Sequence, residues 1–163
     1  MARALYPGTF DPITNGHLDI IQRASQLFES VDVVVAFNAR KSNLFSLEER
    51  VEMVRNCVRD IPNVEVLSHA GLMVDCLRQR NAQVLIRGLR AVSDFEYEFQ
   101  MALMNKKLDA LCETVYLMPS EKYTYLASSI VRELAALGGD ITDFVPPNVE
   151  ERLRRRLKES GNA

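Results

Sequence analysis

The sequence predicts an α/β protein: a Rossmann-like, doubly wound, five-stranded parallel sheet with helices on both faces and a further helix at the C-terminus. Three observations predict it. Short β-branched runs alternate with segments of helical period along the whole chain, which is the pattern of consecutive βα units. The joins between them are short, so each crossover is the right-handed connection that builds a parallel sheet. The clearest run, Val31-Asp32-Val33-Val34-Val35-Ala36-Phe37, is apolar almost throughout, as suits a strand covered on both faces.

Ala4-Leu5-Tyr6 reads as a short first strand that runs into the turn-rich Pro7-Gly8-Thr9-Phe10-Asp11-Pro12. A helix follows from Gly16, with Leu18, Ile21, Ala24, Leu27 and Phe28 on one face. After the second strand, Ser46-Leu47-Glu48-Glu49 forms a capping box, so a helix starts there and turns Leu47, Val51, Val54 and Val58 inward. Val64-Glu65-Val66-Leu67 is the third strand and a helix follows Gly71. Val84-Leu85-Ile86 is the fourth strand, with a long helix from Asp94 to Leu111. Thr114 to Met118 is the fifth strand; Ser128 or Ser129 caps a helix that stops at Gly138-Gly139, and a last basic helix starts at Asn148.

At 163 residues the chain is expected to form one domain, residues 1–163. Twenty basic against 22 acidic residues leave a formal charge of −2, which carries no nucleic-acid footprint. The longest apolar run, Val33 to Phe37, falls far short of the about 20 residues a membrane span needs. Met1 to Tyr6 contains no apolar signal region, so the expected compartment is the cytoplasm. Cys57, Cys76 and Cys112 are odd in number and lack a CxxC pair; they read as reduced, buried thiols, and no protein-held metal is expected.

Ligands of such sheets bind beyond the carboxyl ends of the strands, where the strand order reverses. After the first strand there is neither GxGxxG nor GxxxxGK[ST]. Gly8 lets backbone pass close to a ligand, Thr9 offers a hydroxyl, and Gly16-His17 fall in a first helical turn that favours anions. The same segment also reads as a helix start with a capping histidine. Arg40-Lys41 follow the second strand, a basic pair that a solvated surface also explains. Arg87-Gly88-Leu89-Arg90 leave the fourth strand as two phosphate-matching forks around a glycine; pairing with the acidic run Asp94 to Glu98 is the alternative. Ser128-Ser129 offer a second helix start, as anion cradle or as plain cap. No nucleophile–base arrangement is visible. Thr9, His17, Lys41, Arg87, Arg90 and Ser129 form an inventory of donors and cations, suited to phosphoryl or nucleotidyl transfer by positioning and charge stabilisation.

The segments Tyr6-Pro-Gly-Thr-Phe-Asp-Pro-Ile-Thr-Asn-Gly-His17, Phe45-Ser-Leu-Glu-Glu-Arg50 and Leu85-Ile-Arg-Gly-Leu-Arg-Ala-Val-Ser-Asp-Phe-Glu-Tyr-Glu98, with Met118-Pro-Ser120 and Ser128-Ser129, carry a resemblance. Over essentially its whole length the chain resembles the bacterial phosphopantetheine adenylyltransferases, a branch of the nucleotidyltransferase superfamily with the (H/T)xGH signature. That resemblance implies transfer of the adenylyl group of ATP, with Mg²⁺ on the triphosphate, to 4′-phosphopantetheine, giving 3′-dephospho-coenzyme A and pyrophosphate. It implies that Thr9, Lys41 and Arg87 hold the acceptor phosphate and that Met73 lines the pantetheine arm. Thr9, Phe10, His17, Gly88, Leu89, Arg90 and Glu98 would contact ATP, as would Tyr123, Thr124, Tyr125, Leu126, Ala127, Ser128 and Ser129. His17, with Lys41 and Arg90, would stabilise charge at the α-phosphate. The family commonly has Ile-Ser-Ser-Ser before the fifth helix, whereas this chain has Leu126-Ala127-Ser128-Ser129, so at Ala127 only backbone contacts carry over. The resemblance also implies a homohexamer and feedback by coenzyme A.

The helix from Asp94 supplies its own hint of assembly. Phe95, Phe99, Ala102 and Leu103 make one apolar stripe; Tyr97, Met101, Met104 and Leu108 make another on the opposite side. One is expected to face the sheet, leaving the other to a second subunit or to the chain's own last helix. Arg152 and Arg154-Arg155-Arg156 on that helix read as solvated charges. A transferase with another phosphorylated acceptor and a non-catalytic nucleotide sensor are the competing functions. Arg87 to Arg90 with Asp94 to Glu98 argue against the first, and His17 with Lys41 against the second.

Overall fold

The computed structural model describes residues 2–37, 42–90 and 92–161. Five strands, β1 (Arg3–Gly8), β2 (Ser30–Phe37), β3 (Val64–Ala70), β4 (Val84–Gly88) and β5 (Glu113–Leu117), pair in parallel in the order β3-β2-β1-β4-β5. The order reverses between β1 and β4, which are neighbours, so the loops after both strands open onto the same crevice. Helices α1 (Asn15–Leu27), α2 (Leu47–Val58), α3 (Met73–Arg80), α4 (Val92–Leu108), α5 (Ser128–Ala136) and α6 (Pro147–Gly161) complete the fold, with a 3₁₀ turn at Glu121–Tyr123.

Strand alternation divides the interior in two. Ala4, Tyr6, Val31, Val33, Val35 and Ile86 face α1, α2, α5 and α6, while Leu5, Val34 and Leu85 face α3. Asp32 shares the α3 face and is fully buried. It survives there because Arg80 at the end of α3 binds it with two hydrogen bonds, at 2.7 and 3.2 Å, and also reaches Glu65.

Ser46 and Glu49 form the expected reciprocal cap of α2, and Val51, Val54 and Val58 are buried behind it. Several expectations need correction. In α1 the buried residues are Gly16, Ile20, Ile21 and Ala24, whereas Leu27 is exposed; the helix presses on the sheet with the turn carrying Ile20. Neither Ser128 nor Ser129 caps α5: Ala127 occupies that position without a side-chain bond, and the Ser128 hydroxyl donates instead to the Pro12 carbonyl at 2.7 Å. On α4 both apolar stripes are exposed, from Phe95, Phe99 and Leu103 to Tyr97, Met101, Met104 and Leu108. The helix turns Glu98 inward, so neither stripe lies against the sheet. Helix α6 packs on α5 and reaches α2, leaving those stripes uncovered. Three of its four arginines are paired rather than merely solvated: Arg152 binds Glu52 through two bonds, Arg154 binds Glu150, and Arg156 binds Glu49 while lying over the Phe45 ring; Arg155 is exposed as expected.

Candidate active site

A cavity of about 720 Å³ opens at the carboxyl ends of β1 and β4. Its floor is the β1–α1 turn. There Phe10 adopts a left-handed backbone, φ +49°, a conformation that costs a bulky residue about 1–3 kcal/mol. Packing holds it: the Phe10 ring is buried, edge-on to Tyr6 at 5.7 Å and to His17 at 5.1 Å. That ring also accounts for Gly8, since a Cβ there would lie 2.8 Å from Phe10 Cζ. Gly8 thus makes room for the Phe10 ring and also lines the cavity. A Cβ at Gly88 would similarly lie 2.7 Å from Ile20 Cδ1.

His17 caps its helix and also lines the cavity. Thr14 is the N-cap of α1, and His17, three residues on, returns the bond: its Nδ1 accepts from the Thr14 backbone N–H at 3.0 Å. With Nδ1 accepting, the proton of the neutral ring sits on Nε2, the edge left for the cavity that His17 lines. Burial, and then the Arg90 charge, push its pKa from 6.5 down to about 4. At neutral pH the ring is therefore an uncharged donor.

In the arginine loop the structure shows the pairing with the acidic run. Arg87 reaches Glu98 of α4 through two bonds of 2.9 and 2.6 Å and donates to the Pro7 carbonyl at 3.3 Å. The Glu98 bond, against the opposing effect of burial, raises the Arg87 pKa. Tyr116 donates its hydroxyl to the Glu98 backbone carbonyl at 2.7 Å, tying β5 to the same point. Arg90 donates to Leu126 O at 3.2 Å and lies 3.4 Å from Asp94. Both arginines line the cavity while paired. Opposite them, Leu126, Ala127, Ser128 and Ser129 bring in the first turn of α5, whose free amides have no side-chain cap.

Of the residues singled out from sequence, Thr9, Phe10, His17, Arg87, Gly88 and Arg90 line this cavity, as do Glu98, Tyr123 and Leu126 to Ser129. Leu89 does not; its amide closes the sheet onto Leu117 O. Thr124 turns its hydroxyl back to Glu121 O, and Tyr125 is exposed outside the lining. Met73 packs at the start of α3 against the smaller core cluster. Lys41 lies outside the described residues.

Four residues that the sequence reading did not single out build the frame. Arg50 is 1% exposed and donates one guanidinium nitrogen to Thr9 O at 2.7 Å and Ala36 O at 3.1 Å. It sits on the inward stripe of α2, between Leu47 and Val54, and a cation at such a position was the signal available. Asp11 is buried and accepts from the Leu44 and Phe45 amides. Asp19 accepts from Ser120 N and Oγ, bonds that lower its pKa against the opposing effect of burial, and so anchors the loop after β5. Arg132 pairs with Asp11 at 3.5 Å and lines the cavity.

Fold and site together define a nucleotidyltransferase-like α/β protein: residues 5–134 match the cytidylyltransferase-like family. Two solved structures share the fold at low identity. One is a Vibrio parahaemolyticus protein provisionally described as a nicotinate-nucleotide adenylyltransferase (TM-score 0.69, 18% identity, covering 96% of this chain and 95% of that one). The other is the Plasmodium falciparum nicotinic acid mononucleotide adenylyltransferase complexed with NaAD (TM-score 0.69, 15% identity, 97% and 95%). Far closer in sequence are the phosphopantetheine adenylyltransferases of Moorella thermoacetica, 60% identical over 156 residues (96% of this chain, 98% of the relative), and Dictyoglomus turgidum, 54% identical over 158 (97% and 99%). The chain belongs to the phosphopantetheine adenylyltransferases.

Proposed function

We propose that this chain joins ATP to 4′-phosphopantetheine, giving 3′-dephospho-coenzyme A and pyrophosphate in coenzyme A synthesis. The observation that carries the reading is the convergence of His17, Arg87, Arg90 and the open first turn of α5 around one cavity. Such a site accommodates two phosphorylated substrates and uses no protein nucleophile.

Thr9 and Arg87, with Lys41, hold the acceptor phosphate. Arg90, His17 and the α5 turn hold the ATP phosphates, and Phe10, Gly88 and Glu98 shape that side. An acceptor phosphate oxygen attacks the α-phosphorus of ATP in line. One P–O bond forms as the bond between the α-phosphorus and the α,β-bridging oxygen breaks, and its electron pair leaves with pyrophosphate. His17 Nε2–H donates to an α-phosphate oxygen as charge spreads in the transition state, and the ring keeps its proton throughout. Magnesium enters as part of the substrate, Mg·ATP. The cavity carboxylates are already engaged, Asp11 by backbone amides and Arg132, Asp94 by Arg90 and Glu98 by Arg87.

We assign the reaction to the cytoplasm; no helix among the described residues is long and apolar enough to cross a membrane. We further assign the working form as a homohexamer, with the exposed stripes of α4 covered by other subunits. Coenzyme A, which shares the pantetheine and adenylyl parts of the product, competes for the same cavity. The test of the reaction is its reverse: dephospho-coenzyme A and pyrophosphate should give ATP with this protein and Mg²⁺. Failure to form ATP from that pair would overturn the assignment.

A further inference from the structure

The Tyr6 side chain is largely buried, and the residue roles assigned above make no use of its hydroxyl. The residue is 4% exposed, and its ring packs edge-on to Phe10 on the α1 face of β1. Tyr6 nevertheless lines the cavity. Its hydroxyl has no hydrogen-bond partner among the described residues and is not among their fully buried unpartnered atoms, so the ring is buried while the hydroxyl opens to the cavity with its donor unused.

The surroundings say what the partner is. Arg87 and Arg90 both act electrostatically on the phenol, and Tyr6 in turn acts on Arg87. Both arginines line the cavity beside it while paired with Glu98 and Asp94, and an anion that Arg87 holds there is an acceptor for the hydroxyl. The hydroxyl lies beside Gly88, where a Cβ would stand 3.8 Å from its oxygen, and Gly88 lines the same cavity. Burial, outweighing the two arginines, raises the phenol above the usual tyrosine range, so it remains a protonated donor at any working pH.

We propose that the Tyr6 hydroxyl is a further substrate-binding group, donating a hydrogen bond to the attacking phosphate of the acceptor beside Arg87. The proposal rests on the adenylyl-transfer reading above. It adds a side chain of β1 to the recognition of the acceptor phosphate. The phenol neither gains nor loses its proton in the reaction; it selects for a phosphate at that place and orients it.

Tyr6→Phe removes only the hydroxyl and keeps the ring contact with Phe10. Binding of 4′-phosphopantetheine and of dephosphorylated pantetheine is measured by calorimetry on the wild-type and variant proteins. In the variant the preference for the phosphorylated form should fall by roughly 10- to 100-fold, the loss expected for one hydrogen bond to a charged group. Binding of dephosphorylated pantetheine, the KM for ATP and the melting temperature should stay at wild-type values. An unchanged phosphate preference in Tyr6→Phe would overturn the proposal while leaving the reaction intact. A wild-type protein with no phosphate preference would overturn the reaction, and the hydroxyl's role with it.

Discussion

Nδ1 of His17 accepts the backbone N–H of Thr14 at 3.0 Å, so the ring caps α1 with one edge and faces the cavity with the other. Fixing the tautomer in this way makes Nε2 the donor without any neighbouring carboxylate. The first prediction concerns that proton. Nitrogen-detected NMR should find an Nε2–H tautomer whose midpoint lies near 4, well below the ordinary 6.5. In the unfolded chain the ring titrates near 6.5, so between the two values only the unfolded state binds the proton. The stability this ring contributes is thus complete above pH 6.5 and is lost as pH falls toward 4. A midpoint near 6.5 in the folded protein would contradict the account.

Replacing the ring should cost both roles. His17→Ala is expected to lower kcat by at least about 10²-fold with a smaller change in ATP affinity. Loss of the reciprocal cap should lower stability by about 0.5–2 kcal/mol. A folded variant of near-normal kcat would remove His17 from the mechanism.

Arg87→Ala should act on the acceptor. Its KM for 4′-phosphopantetheine should rise at least about tenfold, the loss of a bidentate charged contact, with the KM for ATP little changed. The reverse pattern would mean that the two phosphate subsites have been exchanged.

The exposed face of α4 predicts assembly. Met104 is 59% and Leu108 52% exposed on the same stripe as Tyr97 and Met101, and a run of large apolar side chains on one exposed face marks a protein–protein contact. Sedimentation of the wild-type chain should give the mass of a hexamer, and Met104→Glu should shift it toward smaller species. A wild-type monomer at micromolar concentration would refute the assignment.

Much of this was legible in the sequence because local patterns and the sheet agree. The apolar run Val31–Phe37 became β2, flanked by β1 and β3. Ser46 and Glu49 capped α2 as their spacing requires. The site was legible through the rule that ligands gather where strand order reverses, which brought the Thr9 and Arg87 segments together. What stayed hidden depends on tertiary partners. The period of α4 shows which residues share a stripe, but not that Glu98 is the residue turned inward to meet Arg87. Ser128 and Ser129 offered a cap by type, yet the chain enters α5 one residue earlier and commits the Ser128 hydroxyl to Pro12. Arg50 was masked by its place in a helical motif; its role exists only because the Thr9 and Ala36 carbonyls end above it.

The central claim is that the cavity joins two phosphates directly. Its most direct test is pyrophosphate release from Mg·ATP, measured with 4′-phosphopantetheine, with dephosphorylated pantetheine and with neither. Release with the phosphorylated acceptor alone is the predicted result. Equal release with all three, or none from a folded protein that binds ATP, would contradict the account.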